Sequence, residues 1–519
     1  MSSKTETGRL NEKDQSLEGS IEKVPMEDEP QVVSHGGDTA FANAPWKYKV
    51  IALVTALMLP VGSHFAHTAV GAMKGTIKKQ LAINNTQYGV LSASVSIINT
   101  IFPIAAGIFI DMFGSVWGTL GVNVLIIVGS LLTALAAKYS SFGLMVAARV
   151  IFGIGSGLIV TMQESLLSKW FRTQHLSIAI GLQLSISRLS SFLGTMVANP
   201  IAIATNDWVW AFWLSFILCG FSILMNFMYA MVVRKLRGEI VTKDEIHKLK
   251  TKKTFHWHSV LKFPTYYWHI ILIEFIFAAV WSAFQVISTE LVQVHFGTKQ
   301  VLAAYKASAS QVVPIVATPI LGFVMDYYGR RILILLISAV FLLLSLGLLG
   351  WTYVDAVVGM VFYSISLAFG PIAMITSIGM ILPSDYIGTG LGIYKSSNNI
   401  GTTILDIISG IIQDNTKGQS YTGVLLLYII LSGIGFVLIV GLLISQRVFL
   451  KNLLEVSRKE RTERMKEIND KELFLTKQGL DSYSNTKVKI FNIIWLVLFG
   501  CCLLVAWVLF FVFAIHKQY

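Results

Sequence analysis

The chain has 519 residues, 54% of them hydrophobic and 13% charged, with a formal net charge of +12 at pH 7 and a mean hydropathy of +0.66. That balance excludes an ordinary soluble enzyme and describes a chain that passes repeatedly through a bilayer. The basic residues gather in short segments between apolar runs, a distribution that argues against nucleic acid as a partner and for a membrane surface.

Residues 1–46 are polar, mixed in charge and without an apolar signal core, so they read as a disordered cytosolic tail. A helix needs about 20 apolar residues to cross the hydrocarbon. Twelve such runs follow, near 50–72, 88–110, 116–137, 141–164, 175–198, 208–233, 266–290, 303–325, 332–352, 354–381, 386–411 and 421–445. They divide into a six-helix bundle over 47–233 and another over 265–446, joined by a basic cytosolic linker, 234–264, that holds "RKLRGEIVTKDEIHKLKTKKTF". A charged cytosolic segment, 447–489, leads to one more apolar run, 490–515. The expected fold is an all-α polytopic membrane protein with 12 spans in two bundles plus an additional C-terminal transmembrane helix.

With "KWFR", the linker and "GRR" on one side and only Lys74, Lys78, Lys79, Lys138, Lys299 and Lys417 on the other, the positive-inside rule places the N-terminus in the cytosol. Thirteen inserted spans then put the C-terminus on the opposite side. Cys219, Cys501 and Cys502 all lie in apolar runs and offer neither a disulfide framework nor a metal motif. No nucleotide loop or catalytic triad emerges, so neither an enzyme nor a cofactor is expected. Asn84-Asn85-Thr86 is a formal glycosylation sequon, but it abuts the second span and its use is not expected.

The halves repeat each other. "GIFIDMFG" (107–114) and "GFVMDYYG" (322–329) share Gly-x-x-x-Asp-x-x-Gly, and "SRLSSFLGT" (187–195) and "YKSSNNIGT" (394–402) share a basic residue and a Gly-Thr. Paired features at similar offsets imply a duplicated unit, with a substrate site where the halves meet near the midplane.

These residues resemble the major facilitator superfamily. Gly322, Asp326 and Gly329 with Arg330 and Arg331 carry its motif intact, and Gly107, Asp111 and Gly114 carry it without the basic pair. "RVIFGIG", with Arg149, Gly153 and Gly155, is a further signature of the superfamily. "RVIFGIGSGLIVTMQESLLSKWF" followed by "GLQLSISRLSS" is similar to the lysosomal dipeptide uniporter branch. The resemblance implies the major facilitator fold, alternating access, a monomeric transport unit and a lysosomal or vacuolar membrane. Members of that branch rely on a single-span accessory subunit, which implies either such a subunit here or its replacement by the appended helix.

Arg188 lies about 20 Å deep at 1.5 Å per residue. A lone guanidinium there costs several kcal/mol unless it meets an anion. Two readings stand: it binds a cargo carboxylate through two parallel hydrogen bonds, or it pairs structurally with Glu164 or Glu274. The matching arginine of the branch engages a peptide carboxylate. Lys395 is its counterpart in the second half, a second anion contact or a neutraliser of Glu274. The branch takes the peptide amine on a glutamate where this chain has Gly157; Glu164, two turns further along the same face and next to Gln163, either substitutes for it or is an end-of-helix acid near "SKWFR", with the amine left unrecognised. His64 and His67 share a face of the first span, as titrating groups at the mouth or as helix-packing residues. Asp111 and Asp326 are read as caps of a movable gate, with Arg330 and Arg331 as its latch. The function expected is a transporter exporting dipeptides or other small carboxylates from an acidic organelle. The alternatives are a proton-coupled carrier of another organic anion, such as a monocarboxylate, and a non-transporting sensor or scaffold.

Overall fold

The computed structural model describes residues 44–103, 115–171, 176–240, 260–382, 386–449, 452–457, 460 and 488–515. Among these, all regular structure is helical. The first bundle contains α1 (Trp46–Met58), α2 (Val61–Ala72), α3 (Lys74–Leu81), α4 (Asn85–Ile98), α5 (Ser115–Lys138), α6 (Phe142–Phe171), α7 (Leu176–Ala204) and α8 (Trp210–Ile240). The second contains α9 (Thr265–Phe296), α10 (Gln300–Ser308), α11 (Val312–Tyr328), α12 (Arg331–Trp351), α13 (Ala356–Ile381), α14 (Ile387–Asn415) and α15 (Thr422–Phe449). The thirteenth apolar run is α16 (Ile490–Ile515).

The helices begin and break where local chemistry directs. Pro60, which lacks an N–H, separates α1 from α2 within the first span. Asn84 and Gln87 close a reciprocal capping box on α4, at 2.7 and 3.1 Å, which folds the sequon asparagine onto the helix. Asp355 caps α13 through Val357 N–H at 2.9 Å. The expected single span 303–325 is interrupted by a 3-10 turn at Ala309–Gln311, and α8 runs past residue 233 to Ile240.

Among the described residues, ten helical stretches are long and apolar enough to cross a membrane, two of them composite, α1 with α2 and α10 with α11. The expected second, fifth and eleventh spans, which correspond to α4, α7 and α14, are not among them. α4 is described only over Asn85–Ile98. α7 and α14 are 29 residues each but rich in serine, asparagine and glutamine, with Arg188, Lys395 and Asp406 among them. These are the helices that line the junction between the bundles, where polar side chains face each other rather than lipid.

Each bundle has its own apolar core. Phe152, Trp170 and Tyr229 anchor one end of the first bundle, and Phe65, Tyr88 and Phe212 the other. Trp281, Phe284 and Tyr363 centre the second. Between the bundles, α4 packs on α14, α7 on α11, and α2 on α9. The α4–α14 contact is backbone on backbone: a Cβ at Gly89 would overlap the Asp406 carbonyl, and one at Gly410 the Asn85 carbonyl. The face at which the first span starts is called near, and the opposite one far.

α16 lies along this same α4–α14 seam. Ala506 and Phe510 are buried against Val90 and Ala93 of α4 and Ile400 and Ile407 of α14. Trp507 Nε1 donates to Thr100 Oγ1 of the first bundle at 3.1 Å, while Asn492 Nδ2 donates to the Leu261 and Phe263 carbonyls of the second at 2.8 Å. Its remaining surface is apolar and exposed, as contact with lipid tails requires.

Candidate functional site

Arg188 projects from α7 of the first bundle and remains half-buried. Its electrostatic neighbours are His64 of α2 and Tyr363 of α13 in the second bundle. Among the described residues no hydrogen bond or ion pair is recorded for its guanidinium. Tyr363 is fixed by donating to the Trp281 carbonyl at 2.5 Å and accepting from Gln285 Nε2 at 3.2 Å. His64 Nε2 is buried without a hydrogen-bond partner. The result is a fixed cation between the bundles, flanked by a tyrosine and an imidazole, with no carboxylate committed to it.

The two acids that could have neutralised Arg188 are engaged elsewhere. Glu164 of α6 accepts from Lys395 Nζ of α14 at 2.9 Å, an ion pair that bridges the bundles, and Thr161 Oγ1 lies 3.3 Å from the same ammonium. Glu274 of α9 is buried within the second bundle, accepting from Asn398 Nδ2 at 3.2 Å. Lys395 therefore neutralises Glu164 rather than Glu274.

Other predicted positions fall inside the first bundle. Gln163 is buried and donates to the Ala56 carbonyl at 2.8 Å, tying α6 to α1. Arg149 is buried, donates to His67 Nδ1 at 3.2 Å and lies 4.9 Å over the Phe152 ring. Gly153 and Gly155 let α6 approach its neighbours, since a Cβ would come within 2.9 Å of Val95 Cα and of the Val122 carbonyl respectively.

The space beside Gly157 is filled. A Cβ there would overlap the Asn99 side chain, which donates to the Val95 and Gly153 carbonyls at 3.0 and 3.1 Å while its Oδ1 stays buried and unpartnered. Asn99 was not legible as a site residue, because its link to Gly157 crosses from α4 to α6.

The motif at the near end is partly visible. Gly107, Asp111 and Gly114 lie outside the described residues, as does the Asp326 side chain. Gly322 lies half-buried on α11. Gly329 adopts φ +76 and its Cα faces the Val456 carbonyl so closely that a Cβ would overlap it. Glu455 caps α12, accepting from Ile332 and Leu333 N–H at 2.7 and 3.3 Å; burial pushes its carboxyl above the usual range, against those two hydrogen bonds. Arg330 is exposed, whereas Arg331 is buried and reaches the Met325 carbonyl at 3.5 Å.

At the far end the seam is sealed by a network that sequence reading missed. Glu290 of α9 accepts from Lys74 at 3.0 Å and Lys78 at 2.7 Å, and also from Tyr421. Asp414 of α14 accepts from the backbone and side chains of Asn85 and Thr86 at 2.6–3.0 Å, at the start of α4. Gln300 donates to Thr76 and Asn199, both at 2.6 Å. Apart from the Tyr421–Glu290 hydrogen bond, which lies within the second bundle, each of these contacts joins one bundle to the other.

A duplicated pair of helical bundles around a polar junction is the architecture of a membrane carrier. A sequence profile of the Major Facilitator Superfamily matches residues 57–309 and 270–519, and the chain belongs to that family. It is similar to the lysosomal dipeptide transporter MFSD1 of Homo sapiens, 24% identical over 71% of this chain and 80% of that one. The same transporter of Bos taurus is 26% identical over 72% and 81%. In fold it is similar to the nucleoside transporter NupG, with a TM-score of 0.60 and 13% identity over 76% of this chain and 99% of that one. The chain is an integral membrane protein of a transporter family, with a small solute or peptide as cargo.

Proposed function

We propose that this protein moves short peptides, recognised by their carboxylate, across the membrane of an acidic organelle by alternating access. The observation that carries this reading is the guanidinium of Arg188, unpartnered between two bundles whose far end is sealed. A cargo carboxylate supplies the missing anion through a bidentate contact. The peptide ammonium competes with Lys395 for Glu164 and finds a second acceptor in Asn99 Oδ1. The likeness to lysosomal dipeptide transporters supports both the peptide and the organelle, with the near face toward the cytosol and the far face toward the lumen.

Purified protein in liposomes is expected to exchange internal for external dipeptide, with and without a pH step. Exchange of monocarboxylates but not dipeptides would replace the peptide by another organic anion. Ligand-induced stabilisation with no exchange would make the protein a sensor.

α16 is the proposed substitute for a separate accessory helix, because it spans the seam and bonds to both bundles. Removing residues 488–519 exposes Val90, Ala93, Ile400 and Ile407 and frees the Leu261 and Phe263 carbonyls. A loss of several degrees in melting temperature is the expected result; an unchanged melting curve and unchanged transport remove the idea.

A further inference from the structure

The sealed far end contains one carboxylate more than its cations can satisfy. Lys74 spends its three N–H groups on Glu290, Gln413 at 2.9 Å and Tyr421 OH at 2.9 Å, which is all an ammonium can donate. Lys78 is shared between Glu290 and Asn85 Oδ1. Two lysines thus face Glu290, and Asp414 is held by four donors from α4. These four charges balance.

Asp406 is the excess. It lies eight residues before Asp414 on α14, about 12 Å deeper at the helical rise, and is 5% exposed. Ser92 of α4 hydrogen-bonds its carboxyl, and Oδ2 is buried with no partner. The surrounding cavity is about 10 Å3, room for one water. Its walls hold one cation, Lys74, whose charge faces Asp406 but whose three N–H groups all go to other partners. Tyr88 donates to the Val70 carbonyl at 2.9 Å, and Tyr428 is shared with Ser409 at 2.8 Å. From α9 only Val286 and Ile287 reach it, with Glu290 beyond. Because the Asp406 carbonyl itself touches Gly89 across the seam, this enclosure exists only while the bundles are together.

An ionised carboxylate taken from water without a cation costs several kcal/mol, far more than its neutral form. We propose that Asp406 is a proton-binding site that must be filled from the far side before the far seam closes, so that far-side acid accelerates turnover. The proton passes from solvent hydronium to the Asp406 carboxylate while the seam is open, and returns to the same solution when it reopens. The proposal rests on the carrier reading above. It assigns Asp406 to the closing step and not to cargo contact.

The test is dipeptide exchange in liposomes with the far-side pH set to about 5 or about 7.5, both above the ordinary range of an exposed aspartate. Wild type is expected to exchange about tenfold faster at the acidic setting. Asp406→Asn, permanently neutral, is expected to be fast at both. Equal pH dependence in the two proteins overturns the proposal, as does a wild type indifferent to far-side pH. Thermal melting of the purified proteins reads the proton without any cargo. Wild type should melt higher at pH 5 than at pH 7.5 relative to Asp406→Asn; parallel pH trends overturn the assignment. Melting curves that differ as expected, with no dipeptide exchange in either protein, discard the cargo and keep the proton site. His64 and His67 are present in both proteins, so their titration cancels in the comparison.

Discussion

Arg188→Ala is expected to lose about two orders of magnitude or more in dipeptide transport while keeping its abundance and melting temperature. Hydrogen bonds to charged groups contribute about 1.5–3 kcal/mol each, and every 1.4 kcal/mol corresponds to roughly tenfold in affinity. Losing a bidentate pair therefore removes about a hundredfold at least. Stability should not fall with it. Among the described residues the guanidinium has no anion in the empty carrier, so its removal relieves a desolvation penalty rather than breaking a bond. A structural arginine would behave in the opposite way, with transport and abundance declining together. Uptake per folded molecule, with protein quantified by fluorescence-detected gel filtration, separates the two.

Glu290→Gln is expected to have the second large effect, on the conformational equilibrium rather than on cargo affinity. Glu290 is 6% exposed and is the shared anion of Lys74 and Lys78. Removing one partner from a buried ion pair costs about 3–5 kcal/mol, because the remaining charges stay desolvated. Here two lysines are left facing each other in the sealed state. In the open state both reach water, so the penalty falls on closure alone. A Cys introduced at Ser92, behind the seal, should then react with a membrane-impermeant maleimide at least a hundredfold faster than in the parent. An unchanged labelling rate would mean that the lysine–glutamate network is not what holds the far end shut.

Much of the fold could be read from the chain because its signals are local. The duplicated Gly-x-x-x-Asp-x-x-Gly, the glycines of "RVIFGIG" and the length of each apolar run depend on neighbours within one helix. Arg188 was legible for the same reason: one charge in a greasy run needs an explanation wherever the helix packs. The far seal was not. Lys74 meets Gln413 across 339 positions of sequence, and Glu290 sits near the end of an apolar helix with nothing beside it to announce two lysines. Lys74 and Lys78 counted only as sparse charges on the non-cytosolic side.

Other residues were legible in type but not in partner. Lys395 was expected near Glu274 or the cargo, yet it bridges to Glu164 on the other bundle. Asn99 fills the space beside Gly157 and places a neutral acceptor there. Asp406 drew no notice in the sequence, because an aspartate near a helix end is ordinarily solvated. Only the contact of α14 with α4 removes it from water. In each case the missing information was which helix faces which, and that is set by packing between bundles.

The most direct measurement of the central claim is a thermodynamic cycle on one ligand. Affinities of a dipeptide and of its C-terminal amide are measured for wild type and for Arg188→Ala, four dissociation constants in all. Amidation removes the carboxylate and leaves the rest of the peptide intact. If Arg188 holds that carboxylate, amidation weakens binding to wild type by about a hundredfold and has almost no further effect on the variant. Equal losses on amidation in both proteins would contradict the account.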